Sequence, residues 1–233
     1  MRTLLMLAFW TLATPLAALV ALPYTLITGS SDFLYRIAMA IVRGGLKLAG
    51  VEVEIRGRGQ LDLASNYIFM ANHVSDLDPP VLIPNLPRRT SVLVKKELFR
   101  IPVLGTAMRM AHLVPVDRRN RDAAIASVRR AADVIRGGLD MTIFPEGTRS
   151  PDGRLLPLKK GPFYLADEAG CGIVPVTILG TYQIRPKTRF FLRPGRATLI
   201  FHQPVWPRDY PDRDALMAAV RERIASALPE DRR

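Results

Sequence analysis

"YIFMANHVSDLDPP", Tyr67 to Pro80, is the stretch on which the fold reading turns. Tyr67–Ala71 is an apolar run too short for a helix and followed by polar residues, the pattern of a strand buried on both faces. Asn72 and His73 then fall at the C-terminal end of that strand. Proline suits the first turn of a helix, so a helix is predicted from Pro79 with Asp78 as its N-cap. The unit reads strand, turn, helix.

The same unit repeats outward along the chain. Strands are predicted at Val51–Ile55, Ser91–Lys95, Leu113–Val116, Met141–Phe144, Ile173–Leu179 and Ala197–Phe201. Helices are predicted near Pro79–Ile83, Val103–Met110, Arg121–Arg136, Pro162–Ala169 and Asp212–Leu228. Strands alternating with helices imply an α/β domain, here residues 51–233, built on a largely parallel mixed sheet flanked by helices on both faces.

Residues 1–50 differ in character. From Thr3 to Ser31 there is no charged side chain, and about 20 apolar residues suffice to cross a bilayer core. Pro15 and Pro23 argue for a kinked or re-entrant helix over one straight one. A cleaved signal peptide fits less well: only Met1-Arg2 precedes the apolar stretch, which is too long, and no Ala-x-Ala site follows. Next comes a basic amphipathic pattern. Asp32 can cap a helix on which Phe33, Leu34, Ile37, Ile41 and Val42 recur, with Arg36, Arg43 and Lys47 between them. Such a helix suits a lipid headgroup layer. Residues 1–50 are therefore expected to be helical and to anchor the chain to a membrane. Arg36, Arg43 and Lys47 follow the apolar run while only Arg2 precedes it, a bias that agrees with an α/β domain expected on the cytoplasmic side.

The whole chain carries a formal charge of +12 over 233 residues, with one cysteine, Cys171. The charge asks for an anionic partner: a membrane surface, a phosphorylated or acidic ligand, or nucleic acid. A lone cysteine excludes an internal disulfide framework.

Two stretches concentrate chemistry. In the first, a turn that folds Asp78 back onto His73 makes the imidazole a general base whose tautomer the carboxylate fixes. In the second, "MTIFPEGTRS", a strand runs into Glu146, Gly147, Thr148 and Arg149. Glycine permits close backbone approach, and hydroxyl and guanidinium together suit a phosphate. Lys159 and Lys160 add charge before the next helix. "LVPVDR" sets Arg118 just past another strand end.

These blocks resemble the glycerolipid acyltransferases of the 1-acylglycerol-3-phosphate type. "NHVSDLD" is similar to their His-x4-Asp block, "LVPVDR" to their arginine block, "FPEGTRS" to their Glu-Gly block and "IVPVTI" to their proline-centred block, all in the family's order between about Asn66 and Gly180. One departure is His112, where the arginine block often carries glycine. The resemblance implies the glycerolipid acyltransferase fold and transfer from acyl-CoA or an acidic acyl carrier protein, as co-substrate without further cofactor, to a membrane lipid acceptor. It implies His73 as base and Asp78 as its orienting partner, and Arg118, Glu146, Gly147, Thr148 and Arg149 around the acceptor phosphate. Pro175 falls in the block associated with the acyl side.

A thioester is already activated, so no covalent nucleophile is required. Ser75 lacks a G-x-S-x-G elbow. A metal site is not expected, because neither C-x-x-C nor H-E-x-x-H occurs. Within the enzyme class, the rivals are acylation of another lyso-lipid, such as a lyso-ornithine lipid, and thioester hydrolysis. Outside it, Arg118–Arg136 invites a membrane-surface or nucleic-acid-binding reading. No helix-turn-helix, zinc-finger or RNP pattern accompanies it, so nucleic acid is not an expected partner.

Overall fold

The computed structural model describes residues 1–116 and 121–233. Side chains along β2 (Tyr67–Ala71) divide its interior in two. Tyr67, Phe69 and Ala71 join one hydrophobic cluster, Ile68 and Met70 the other, as the two-residue period of a strand dictates. All five are buried. That explains the unbroken apolar run: β2 has no solvent face.

Around it the described residues form a seven-stranded sheet with β1 (Val51–Arg56), β3 (Thr90–Lys95), β4 (Val114–Val116), β5 (Asp140–Ile143), β6 (Gly172–Leu179) and β7 (Gly195–Phe201). The order is β1-β7-β6-β2-β5-β3-β4. Every neighbouring pair is parallel except β6–β7. The expected strands are therefore present, with ends displaced by at most about two residues.

Helices α1 (Arg2–Thr28), α2 (Asp32–Ala49), α3 (Asp78–Leu82) and α7 (Thr181–Ile184) lie with the first cluster. Helices α5 (Arg121–Arg136), α6 (Gly161–Ala169) and α8 (Arg213–Ser226) lie with the second. The short α4 (Leu104–Met110) leads into β4. Because the strands are parallel, the C-terminal ends of β2, β3, β4, β5 and β6 meet at one edge. β7 runs the other way, so its start at Gly195 meets them there.

Three local features bear on the sequence reading. Helix α1 continues through Pro15 and Pro23 as one helical element. Each proline withdraws one donor from the helical ladder, and the remaining turns carry the helix across. Its C-terminus closes at Gly29, in the left-handed region, whose N–H bonds Thr25 O. Asp32 does not cap α2: Ser31 holds the N-cap position, and the Asp32 carboxylate pairs instead with Arg89. His112 takes a φ of 59°, the left-handed backbone that glycine adopts without cost. The geometry typical of a glycine is thus kept by a histidine, and Ser91 Oγ donates to its carbonyl at 2.7 Å.

The first 50 residues are not merely attached to the sheet. Met6, Leu46 and Ala49 sit in one cluster with Val51, Phe69 and Leu199. Leu192 N–H donates to Thr3 Oγ1 at 2.9 Å. Within the α1–α2 pair, Trp10 Nε1 donates to Ile41 O at 3.1 Å, and Gly45 makes room for the indole: a Cβ there would come within 2.0 Å of Nε1. Gly45→Ala is expected to destabilise the protein by about 1–3 kcal/mol through overpacking, even though alanine favours an isolated helix by about 1 kcal/mol. Urea melts followed by tryptophan fluorescence check this; a stabilised variant would mean that α1 does not pack on α2 as described.

Candidate active site

The edge where β2, β5 and β6 end is where open α/β sheets take ligands. At the end of β2, the Asn72 side chain closes the ladder to β6: Nδ2 donates to Ile178 O at 3.0 Å and Oδ1 accepts from Ile178 N–H at 2.7 Å. His73 follows directly. Its backbone N–H donates to Glu146 Oε1 at 2.5 Å, and its carbonyl accepts from Ser150 N–H at 2.8 Å. Both polar groups of the His73 backbone are therefore held by the loop after β5.

The imidazole is fixed just as firmly. His73 Nδ1 lies 2.8 Å from Asp78 Oδ2, and the ring stacks on Phe144 at 4.3 Å between centroids. The His73 side chain keeps 16% exposure while Asp78 keeps none. With Asp78 accepting from Nδ1–H, Nε2 presents a lone pair, the arrangement of an oriented base. Asp78 is not the helix cap expected from the sequence. The N-cap position belongs to Leu77, and Asp78 Oδ2 accepts backward, from Val74 N–H and Ser75 N–H, each at 2.7 Å. The carboxylate thus winds the turn around the histidine.

Glu146 also departs from its expected place at a phosphate. It is 2% exposed, and its second oxygen accepts from Leu156 N–H at 2.9 Å. An enclosed carboxylate committed to two backbone donors has no face to offer an anion. Burial pushes its pKa up to about 7, against the lowering pull of the Leu156 and His73 N–H groups. Gly147, at φ 71°, packs beside the Lys159 side chain, where a Cβ would meet it at 2.9 Å. Thr148 is exposed at the mouth. Arg149 Nη1 lies 3.2 Å from Asp76 Oδ2. Lys160 is drawn away, to Asp214 at 2.8 Å. Pro175 is buried in β6 level with Met70, not with His73, so it stands behind the cluster. Arg118 lies outside the described residues. Ser75 is buried: its Oγ donates to Arg185 O at 2.6 Å and accepts from Leu77 N–H, which is the work of a turn brace.

Two members of the cluster went unread in the sequence. Asp76, inside the His73 turn, binds Arg185 Nη1 at 2.6 Å as well as Arg149. Its other oxygen is buried without a partner among the described residues. Arg185 follows α7, and Lys187 Nζ donates to Arg149 O at 3.3 Å. The available signal was a basic residue just past the turn from β6 into α7, which is weak without the fold.

An oriented imidazole base beside a guanidinium cluster, at the C-terminal edge of an α/β sheet, is an arrangement suited to taking a proton next to an anionic group. The acyltransferase family model matches residues 52–179, and the chain belongs to that family. It is 38% identical over 170 residues to a 1-acyl-sn-glycerol-3-phosphate acyltransferase of Limnanthes alba, covering 72% of this chain and 60% of the relative. It is 30% identical over 221 residues to the alpha form of Mus musculus, covering 91% and 76%. The chain spans 46% to 60% of the length of several plant relatives. Among solved structures it matches the 1-acyl-sn-glycerophosphate (LPA) acyltransferase PlsC from Thermotoga maritima, with a TM-score of 0.80 and 26% identity over 97% of this chain and 95% of that one. The expected α/β fold and membership of the acyltransferase family stand.

Two outcomes follow from this geometry. In Asp78→Asn the amide oxygen can keep the three bonds of Oδ2, with NH2 where Oδ1 already lacks a partner. The fold is expected to persist while turnover falls by at least about 10²-fold. Near-normal turnover, with circular dichroism unchanged, would show that the negative charge is not needed. The second outcome concerns pH. Glu146 holds its proton more tightly folded than unfolded, so its contribution is fully present below about pH 4.5 and is lost as pH rises through about 7. Urea melts are expected to lose up to about 3 kcal/mol over that interval, and Glu146→Gln is expected to flatten the slope. An unchanged slope in the variant would assign the titration elsewhere.

Proposed function

We propose that the chain transfers an acyl group from acyl-CoA or an acyl carrier protein to the free hydroxyl of 1-acylglycerol-3-phosphate, giving phosphatidate. One observation carries this reading: His73, oriented through Nδ1 by a fully buried Asp78, stands beside Arg149 on the turn that Asp76 connects to it. His73 Nε2 takes the proton of the acceptor hydroxyl as its oxygen attacks the thioester carbonyl. The tetrahedral intermediate then collapses, the C–S bond breaks, and the imidazolium returns the proton to the leaving thiolate. Asp78 stabilises the imidazolium between those events. Arg149, with Arg118 and the Gly147–Thr148 backbone turn, holds the acceptor phosphate. The printed names of the relatives and of the Thermotoga structure support the acceptor class.

The acceptor is a lipid, and residues 1–50 keep the chain at its bilayer. Helix α1 extends about 40 Å at 1.5 Å per residue and leaves Leu12, Leu16, Leu19, Leu26 and Ile27 exposed. That much apolar surface in contiguous array calls for a membrane. The α/β domain faces the cytoplasm, where both donors are found.

The test is a purified full-length assay that offers lysophosphatidate, a lyso-ornithine lipid and other lyso-lipids with each donor. Lysophosphatidate is expected to be preferred, and His73→Ala to lower transfer by about 10²–10⁴-fold. Arg149→Ala is expected to raise the acceptor KM by about one to two decades, the loss of a charge-assisted hydrogen bond worth about 1.5–3 kcal/mol, and to leave the donor KM nearly unchanged. Preference for another acceptor overturns the substrate assignment. Equal losses for donor and acceptor would make Arg149 structural.

A further inference from the structure

The segment between α7 and β7, "RPKTRFFLRPG" from Arg185 to Gly195, contains four cations and no acid. It is an ordered loop. Arg193 N–H donates to Ile184 O at 2.9 Å and closes its base, Gly195 N–H donates to Gly50 O at 3.1 Å, and Arg189 N–H donates to Pro186 O at 3.1 Å. Leu192 is buried in the core cluster. Its neighbours Phe190 and Phe191 point the other way, each 55% exposed, in edge-to-face contact at 5.2 Å. An aromatic pair left in water on a structured loop, ringed by exposed Lys187, Arg189 and Arg193, needs a reason.

Its position supplies one. Leu192 N–H bonds Thr3 Oγ1 in the first turn of α1, and Arg2 and Pro194 both border Gly50. The loop that carries the phenylalanines is therefore bonded to the first turn of α1, where Leu4 and Leu5 are also exposed. Apolar rings flanked by long cationic side chains match a lipid interface, where the rings enter the acyl boundary while the cations reach the phosphates. We propose that the Phe190–Phe191 loop is a second membrane contact, a wedge that enters an anionic headgroup layer beside α1. The inference rests on the membrane reading of α1.

The wedge also has a line to the chemistry. Arg185 Nε donates to Phe190 O at 2.9 Å, and its guanidinium lies 5.7 Å from the Phe190 ring centre. The same guanidinium binds Asp76 in the His73 turn. Seating the loop at the headgroups therefore sets the depth of the His73 turn, where the glycerol hydroxyl of a lipid acceptor lies.

The experiment uses the full chain carrying Thr188→Cys labelled with an environment-sensitive fluorophore. Cys171 does not compete, because it is buried and burial pushes its thiol up to about 12. On vesicles of phosphatidylglycerol and phosphatidylcholine the emission is expected to shift blue and to be quenched by nitroxide carried on the lipid. Adding Phe190→Ser and Phe191→Ser is expected to abolish both effects. That double variant is also expected to lose about tenfold in transfer to vesicle-embedded acceptor, the effect of about 1.4 kcal/mol of lost apolar burial, while keeping transfer to detergent-dispersed acceptor. A probe that stays aqueous on protein that floats with the vesicles overturns the wedge and leaves the anchor standing. Protein that does not float overturns both. Quenching that survives the double serine change overturns the role of the aromatic pair. A probe shielded only as protein concentration rises assigns the loop to a second copy and not to lipid.

Discussion

The hold of one loop on the backbone of His73 is the constraint on which the site depends. His73 sits past the end of β2, where the ladder no longer fixes the chain. Its N–H goes to Glu146 and its carbonyl to Ser150, both on the segment that leaves β5. The link exists only because β2 and β5 are parallel neighbours, which brings the two strand ends side by side. Glu146 could be an exposed carboxylate at little cost; buried, its charged form is disfavoured, and its raised pKa records that. Against that cost stands the bridge it makes between the His73 and Leu156 backbones. A base must be held to within a fraction of an ångström to work, and here hydrogen bonds supply what a regular element would otherwise give.

Asp78 works on the same principle. Of the two roles the sequence suggested for it, a forward cap and a carboxylate turned back onto His73, the structure has the second, its oxygen facing Val74, Ser75 and His73. One carboxylate thus fixes both the turn and the ring that the turn carries. Ser75, which a sequence reading weighs as a nucleophile, is consumed in the same bracing.

The parts that were legible and those that were not divide along a physical line. Strands such as β2 and β6 were readable because burial on both faces leaves an unbroken apolar run, and the alternation of elements then implied parallel pairing. His73, Asp78 and Arg149 were readable because their spacing to a strand end is local. The enclosure of Glu146 was not, since it depends on a backbone donor, His73 N–H, that lies 73 positions away in sequence. Asp76 and Arg185 illustrate this most clearly: they meet at 2.6 Å across more than a hundred positions of sequence, and no local pattern marks either. Pro15 and Pro23 lie inside α1, and the helix continues on either side of both.

The placement of acids around a site for an anion is the last physical point. Three carboxylates, Asp76, Asp78 and Glu146, lie within the His73 and Glu146 turns, and unscreened they would repel a phosphate. Asp78 and Glu146 are enclosed and face backbone N–H groups and the imidazole, so their fields are spent inward. Asp76 is partly open, but it lies between Arg149 and Arg185, with Lys187 bonded to the Arg149 carbonyl. Three cations against one carboxylate leave the mouth positive. Asp76 further holds both guanidiniums in place, and arginines already held in one arrangement lose less side-chain freedom on binding than free ones. For the phosphate proposed above, this is a charged surface already arranged, on which exchanging one carboxylate contact for a phosphate contact would leave each arginine paired throughout.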